Sequence, residues 1–434
     1  MSHFDNYLKN NMGNIGVRAS LGAMMRDAKA ALAELPKWER GFHIFWLLGP
    51  FILLIERSPA DIWLSILALA FVVRSIMKRD GGWLKAFWVR TSFLFLAVCM
   101  VSSALSVMPA YAFSEGLAWF RFPLFAMATA FWLGTDRRLL YAMLVSTALG
   151  MMLMTGILTA EMIIEGQKGG RLSWPYDDLV SGNYLSKVGL PAFAIMVALA
   201  IGAKPRLASI MGGLSLISII MSVLTGERIN FLIRACGGML AALVWKPNWR
   251  RYIILIIVEV FAVVAVFASI PNVQDRFTTA VVSSLPTGPH SDYYRVMGAG
   301  LTVFKTAPVF GIGPATHREL CPSILGETPE FRCDNHPHNF YIQFLTETGI
   351  IGLITGSVMI ISIIWAAFAG WRKNRDNVVA ATAFVVPFGL FFPIQSTGDF
   401  FGQWNNIFMW SAIALALAAA RTLTAAQKKY HSFY

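Results

Sequence analysis

Apolar runs of about twenty residues, separated by short polar breaks, recur along the whole chain. A helix of about that length crosses a bilayer core about 30 Å thick, so the pattern predicts an all-α, polytopic membrane protein. Breaks at charged and Gly/Pro-rich stretches divide the chain into twelve spans, at 42–56, 61–77, 88–107, 115–134, 139–163, 185–203, 207–225, 229–245, 252–270, 346–370, 377–396 and 405–422. Runs such as Tyr252 to Ile270 are continuously apolar rather than alternating, which excludes a β-barrel. Upstream of the spans, Val17, Leu21, Met24, Met25, Ala28 and Leu32 recur at helical spacing, with Arg18, Arg26 and Lys29 among them. That segment reads equally as an interfacial helix or as a frayed leader. The first forty residues hold no apolar core segment, so no cleavable signal peptide is expected.

Composition agrees with a lipid-facing surface: 56% of residues are hydrophobic and 14% charged, against about 25% charged in soluble domains. The net charge of +12 could suggest nucleic acid, but the cations are spread between spans instead of gathered in a patch. Lys78, Arg79 and Lys85, then Lys246, Arg250 and Arg251, then Arg372, Lys373 and Arg375 mark inside loops, and place both termini in the cytoplasm. The expected organisation is a cytoplasmic amphipathic segment at 1–40, nine spans over 41–270, a large outer loop at 271–345, three spans over 346–422, and a cytoplasmic tail at 423–434. A loop of that length is rarely structureless unless functional. Its amphipathic stretch from Tyr293 to Thr306 predicts a helix packed on the outer face.

Cys99 and Cys236 fall inside spans, where a thiol serves as a small buried apolar group. Cys321 and Cys333 both fall in the outer loop, and a disulfide between them is expected if that loop faces an oxidising compartment. Metal binding by these two with His336 and His338 is the rival reading.

The most informative segment runs from Asp334 through His336, Pro337, His338 and Asn339 to Gly349 and Gly352. It sets a histidine at the outer mouth of the tenth span. Histidine titrates near neutral pH and can take a proton from an attacking hydroxyl. A lone loop histidine reads more readily as structural, and Gly349, Gly352 and Gly356 on one helix face read as close packing. The spacing alters the balance: His338, Asn339, nine residues, Gly349, two residues, Gly352 closely resembles the signature of the O-antigen ligase and polymerase family of bacterial envelope enzymes. Thr225-Gly226-Glu227-Arg228 at the outer end of a middle span, and Tyr294-Arg295 ahead of the turn Gly311-Ile312-Gly313-Pro314, resemble its two arginine motifs. These matches cover roughly 222–356, and the first 200 residues are similar only in hydropathy.

The resemblance implies a GT-C-like glycosyltransferase of the bacterial inner membrane with its active site facing the periplasm. It implies transfer of a polysaccharide from undecaprenyl diphosphate to a lipid A-core hydroxyl, with inversion, in lipopolysaccharide biosynthesis. Polymerisation of lipid-linked repeats is the alternative within the family, and a flippase for the same lipids is the alternative outside it. His338 is then the base. Arg228 and Arg295 hold the diphosphate, since a guanidinium grips two oxygens and keeps its charge. Asn339, Arg171, His336, Glu227 and Arg318 are candidates for substrate contacts, with Lys168, His290 and His317 as lesser ones that read more simply as solvated loop groups. Asp399, near Gln403 and Trp404, is a candidate for shaping the acceptor site. Arg121 and Arg234 in or near spans require partners. No dense carboxylate cluster and no phosphate-cradling loop is present in the sequence, so neither metal nor cofactor is expected and the energy resides in the lipid donor.

Overall fold

The computed structural model describes residues 17–176, 181–278, 291–326, 330–394 and 396–431; His290 lies outside them. The described secondary structure is helical, apart from an isolated bridge between Lys168 and Arg171. Among the described residues, eight helices are long and apolar enough to cross a bilayer: Arg57–Met77, Phe87–Leu105, Pro109–Leu133, Arg137–Ile164, Pro205–Leu224, Trp249–Ser269, Phe340–Lys373 and Gln403–Thr424. The other four expected spans take different forms. The first divides into Lys37–Leu47 and Gly49–Ile52 around Pro50, which has no N–H to donate. The sixth is a bent pair, Ser181–Val188 and Leu190–Gly202, meeting at 58°. The eighth, Arg228–Val244, has 17 residues. The eleventh is the shorter Val378–Leu390, ending ahead of Pro393, whose ring disfavours helix in the residue before it. Length and composition therefore support eight crossings, or nine with the bent pair counted as one.

The last helix forms the centre of the bundle, with 89% of its apolar window buried. It packs against Phe340–Lys373, Arg121–Ala128, Arg57–Met77 and Arg137–Ile164. At the other extreme, Trp249–Ser269 buries none of its residues and presents its apolar surface outward. Near the amino terminus, Val17–Glu34 is helical and packs on Arg137–Ile164, with Ala28 and Ala31 buried.

Among the described residues, the expected outer loop contains the helices Pro271–Phe277, Asp292–Phe304 and His317–Leu325. Ser291 caps the second through the Tyr294 N–H. Helix Phe340–Lys373 begins six residues before the expected span start at 346. Cys321 and Cys333 form a disulfide 12 positions apart in sequence, and bonded sulfurs cannot serve as thiolate ligands beside His336 and His338. Closing a loop of that length stabilises by about 3 kcal/mol. Cys99 is buried, whereas Cys236 is exposed. Its helix packs through Ile233, Gly237 and Ala241, one face at i, i+4 spacing, which turns Cys236 outward.

The glycines of the histidine segment divide by role. Gly349 has φ +67°, breaking its helix, and a Cβ there would lie 2.2 Å from the Val309 carbonyl oxygen. The break lets the 308–317 loop dock: Ile312 N–H donates to Thr346 O at 3.1 Å, Gly313 N–H to Glu347 O at 2.9 Å and Ile350 N–H to Pro308 O at 2.9 Å. Gly356 packs against Phe344 and Phe95, the close helix contact expected, while the nearest atoms to Gly352 belong to Thr348 of its own helix. The buried Glu347 carboxylate then accepts from Ala315 N–H at 2.9 Å and His317 N–H at 3.3 Å, tying down the same loop. Arg121 and Arg234, the arginines expected to require partners, have them. Arg121 bonds Asp61 at 2.9 Å, and Arg234 donates to Leu185 O and Ser218 while stacking on Phe193 at 4.2 Å.

Candidate functional site

A cavity of about 720 Å³ lies where the histidine segment, the 226–230 turn, the 169–171 loop and the start of the last helix converge. Its wall includes Arg171, Glu227, Arg228, Arg318, His336 and His338, six residues brought together from separate sequence motifs. Arg295 and Asn339 are not among its described lining residues. Asn339 instead caps helix Phe340–Lys373, accepting from Tyr341 N–H at 3.0 Å and Ile342 N–H at 3.2 Å, and donates to Pro393 O at 2.8 Å. It thereby fixes the turn that carries His338. Arg295 lies on the helix Asp292–Phe304, one turn of which presents Tyr293 to the cavity, and its carbonyl accepts from Arg332 N–H at 3.3 Å.

Gly226 explains how two distant arginines meet. Its φ is +68°, and a Cβ there would fall 2.3 Å from the Gly170 carbonyl oxygen, so the two loops touch only because this residue is glycine. The contact sets Arg171 beside Arg228, and Arg276 joins them by donating from Nε to Gly226 O at 3.2 Å. Burial, reinforced by the positive charges of Arg171 and Arg228 and opposed by Glu227, lowers the pKa of Arg276. Like charges collected at a cavity wall raise the potential there and favour an anion.

Three cavity cations go unflagged by the sequence motifs: Arg57, Arg276, which sits in an unremarkable stretch of the outer loop, and Lys187. Lys187 is buried on the cavity wall and donates to Asn405 on the last helix. A cation inside the sixth apolar run is a usable signal for it. Beside it, Ser186 donates to Asn230 at 2.7 Å and Asn230 to Asn183 at 3.2 Å, while Asn230 also bonds Glu227. Opposite, Arg318 pairs with Asp399 at 2.6 Å, and Gln343 donates to Asp399 at 2.7 Å and to Glu347 at 3.2 Å.

His338 has a left-handed backbone, φ +55°, a conformation that costs a non-glycine residue energy and that recurs at functional sites. Thr397 stabilises the turn twice, its N–H donating to His338 O at 2.8 Å and its carbonyl accepting from His336 Nε2–H at 3.1 Å. The two imidazoles lie 4.3 Å apart. His336 is driven down to about 4, by burial first and then by His338. His317 is likewise held at about 4, by burial and then by His336, and neither of its ring nitrogens has a hydrogen-bond partner among the described residues.

These two depressed values make stability pH-dependent. A free histidine titrates near 6.5, so on acidification the unfolded chain takes up protons before the folded one does. Their contribution is complete above pH about 6.5 and is lost as pH falls through that value toward 4. The thermal unfolding midpoint in detergent is expected to drop across that interval, and less steeply in His317→Gln protein. An equal slope in the two proteins contradicts the assignment.

Residues 213–356 match the family model described as O-antigen ligase. That segment is similar to the O-antigen ligase family. It holds Arg228, Arg276, Arg295, His336 and His338, whereas Arg171, Lys187 and Asp399 come to the cavity from outside the matched residues. No curated protein matches the chain. A solved structure titled "Structural coordination of polymerization and crosslinking by a peptidoglycan synthase complex" is similar at a TM-score of 0.47 and 14% identity, covering 77% of this chain and 96% of that one.

Proposed function

We propose that this protein is an O-antigen ligase, moving a glycan from undecaprenyl diphosphate onto a hydroxyl of lipid A-core. The observation that carries the reading is the shared cavity wall of Arg171, Arg228 and Arg276 with His338. A diphosphate leaving group gains negative charge as its bond to the sugar breaks, and the clustered guanidiniums with Lys187 stabilise that charge without a change of protonation. His338 removes the acceptor proton. The acceptor oxygen attacks the anomeric carbon from the face opposite the departing phosphate, so configuration inverts. Holding both substrates in one cavity supplies the remaining advantage, by converting an encounter into a local step. The family match and the apolar helices support a bacterial inner-membrane enzyme whose cavity opens to the periplasm.

The test is deletion of the gene, followed by comparison of lipopolysaccharide ladders with lipid-linked intermediates. Loss of the ladder with accumulation of long carrier-linked polymer is expected. Accumulation of single repeats instead identifies a polymerase, and intermediates confined to the cytoplasmic leaflet identify a flippase.

A further inference from the structure

Asp334 stands four residues before His338, and its Oδ2 lies 3.2 Å from His338 Nε2. A carboxylate only accepts hydrogen bonds, so Nε2 carries the proton and Nδ1 is the lone-pair nitrogen of a ring that lines the cavity. The carboxylate is itself fixed: Asn335 N–H donates to Oδ1 at 2.8 Å, and Arg332 reaches Oδ2 at 3.4 Å while bonding Asp292 at 3.0 Å. Burial raises the Asp334 pKa, but the Asn335 N–H and His338 outweigh it and hold the group below the usual carboxylate range, so it is ionised at neutral pH.

We propose that Asp334 is a positioning residue for His338, holding it in the Nε2–H tautomer so that Nδ1 receives the acceptor proton, and stabilising the imidazolium that forms. The proposal rests on the reading of His338 as base. In the step, the acceptor O–H bond breaks and its proton goes to Nδ1. The oxygen pair forms the new bond to the anomeric carbon, and the bond from that carbon to phosphate oxygen breaks with its pair remaining on the diphosphate. The imidazolium afterwards returns its proton to solvent.

Other groups near the ring do not substitute for this carboxylate. His336 is the nearest titratable neighbour, held neutral and bonded to Thr397 O. Tyr293 lies 6.0 Å away edge-on. Arg332 and Asp292 act from behind Asp334, and Asp399 is engaged by Arg318 and Gln343.

Asp334→Asn preserves shape and removes the charge. The plateau kcat is expected to fall about tenfold or more with KM for the lipid donor unchanged, because a ring free to carry its proton on Nδ1 has no lone pair there for the acceptor proton. Asp334→Glu should recover most of the rate. Arg332→Gln breaks the loop ion pairs but leaves the Asp334–His338 bond, so its kcat must stay well above that of Asp334→Asn; a loop-anchoring role predicts equal defects in the two. Independently of turnover, protein labelled with nitrogen-15 histidine, with seven histidines in the chain and the His338 signals assigned through His338→Gln, gives the tautomer of that ring by NMR. A ring held as Nε2–H in wild type and in mixed tautomers in Asp334→Asn upholds the positioning even if the purified protein transfers no glycan, a result that would remove only the functional reading. An unmoved tautomer together with an unmoved kcat overturns the proposal, as do equal defects in Arg332→Gln and Asp334→Asn.

Discussion

His338→Ala protein is expected to bind the lipid diphosphate donor normally and to transfer glycan on the order of 10²-fold more slowly, or worse. The separation follows from the cavity. His338 lies with His336 and Tyr293 on one part of the wall, whereas the guanidiniums proposed to meet the diphosphate come from the 169–171, 226–228 and Pro271–Phe277 elements. Removing an imidazole leaves those cations in place, so donor affinity persists while proton removal fails. The backbone adds a practical point: His338 has φ +55°, and alanine there bears the same left-handed cost without the ring's bond to Asp334. Donor binding, measured by retention of radiolabelled lipid, therefore serves also as the check that the variant is folded. If such protein turns over at a near-normal rate, the base assignment is lost, and proximity with the cations must account for catalysis.

Arg228→Lys is expected to have the second large effect. Lysine keeps the charge but presents a compact ammonium in place of a planar fork, so bidentate contact with two phosphate oxygens is lost. Removing one preorganised donor of transition-state charge costs on the order of 10²-fold in kcat. The defect should fall on kcat more than on KM, because charge on the diphosphate grows as the sugar bond breaks. Arg171 and Arg276 lie beside Arg228 on the same cavity wall. A variant with raised KM and unaltered kcat would show that Arg228 binds the donor uniformly and contributes nothing specific to the chemical step.

Motif spacing alone makes part of this site legible. His338 and Arg228 are recoverable because each sits in a local pattern tied to chemistry, and both line the cavity. Arg276 is not, since nothing in its local sequence indicates that it meets Arg171 and Arg228 across the Gly226–Gly170 contact. Asp334 is visible in the motif but acquires a role only from its 3.2 Å distance to His338. Asn339 reads in sequence as a substrate contact, whereas its side chain caps a helix, a choice that spacing cannot make. Hydropathy locates the long helices well but does not show where an apolar run is divided or bent, because it averages over breaks. Pro50 divides one apolar run, and a 58° bend at Gly189 turns another just past Lys187. Gly349 reads as a packing glycine, yet it ends one helical segment so that the 308–317 loop can bond to the exposed carbonyls.

One cavity is proposed to hold the diphosphate on clustered arginines and the acceptor beside His338. Purified protein in lipid nanodiscs, supplied with a defined undecaprenyl-diphosphate glycan and a lipid A-core acceptor, tests this in a single-turnover assay. Wild type is expected to give product of inverted anomeric configuration, His338→Ala to bind donor but form almost no product, and Arg171→Ala/Arg228→Ala/Arg276→Ala to show neither binding nor product. Product formed at the wild-type rate by the triple arginine variant would contradict the shared site.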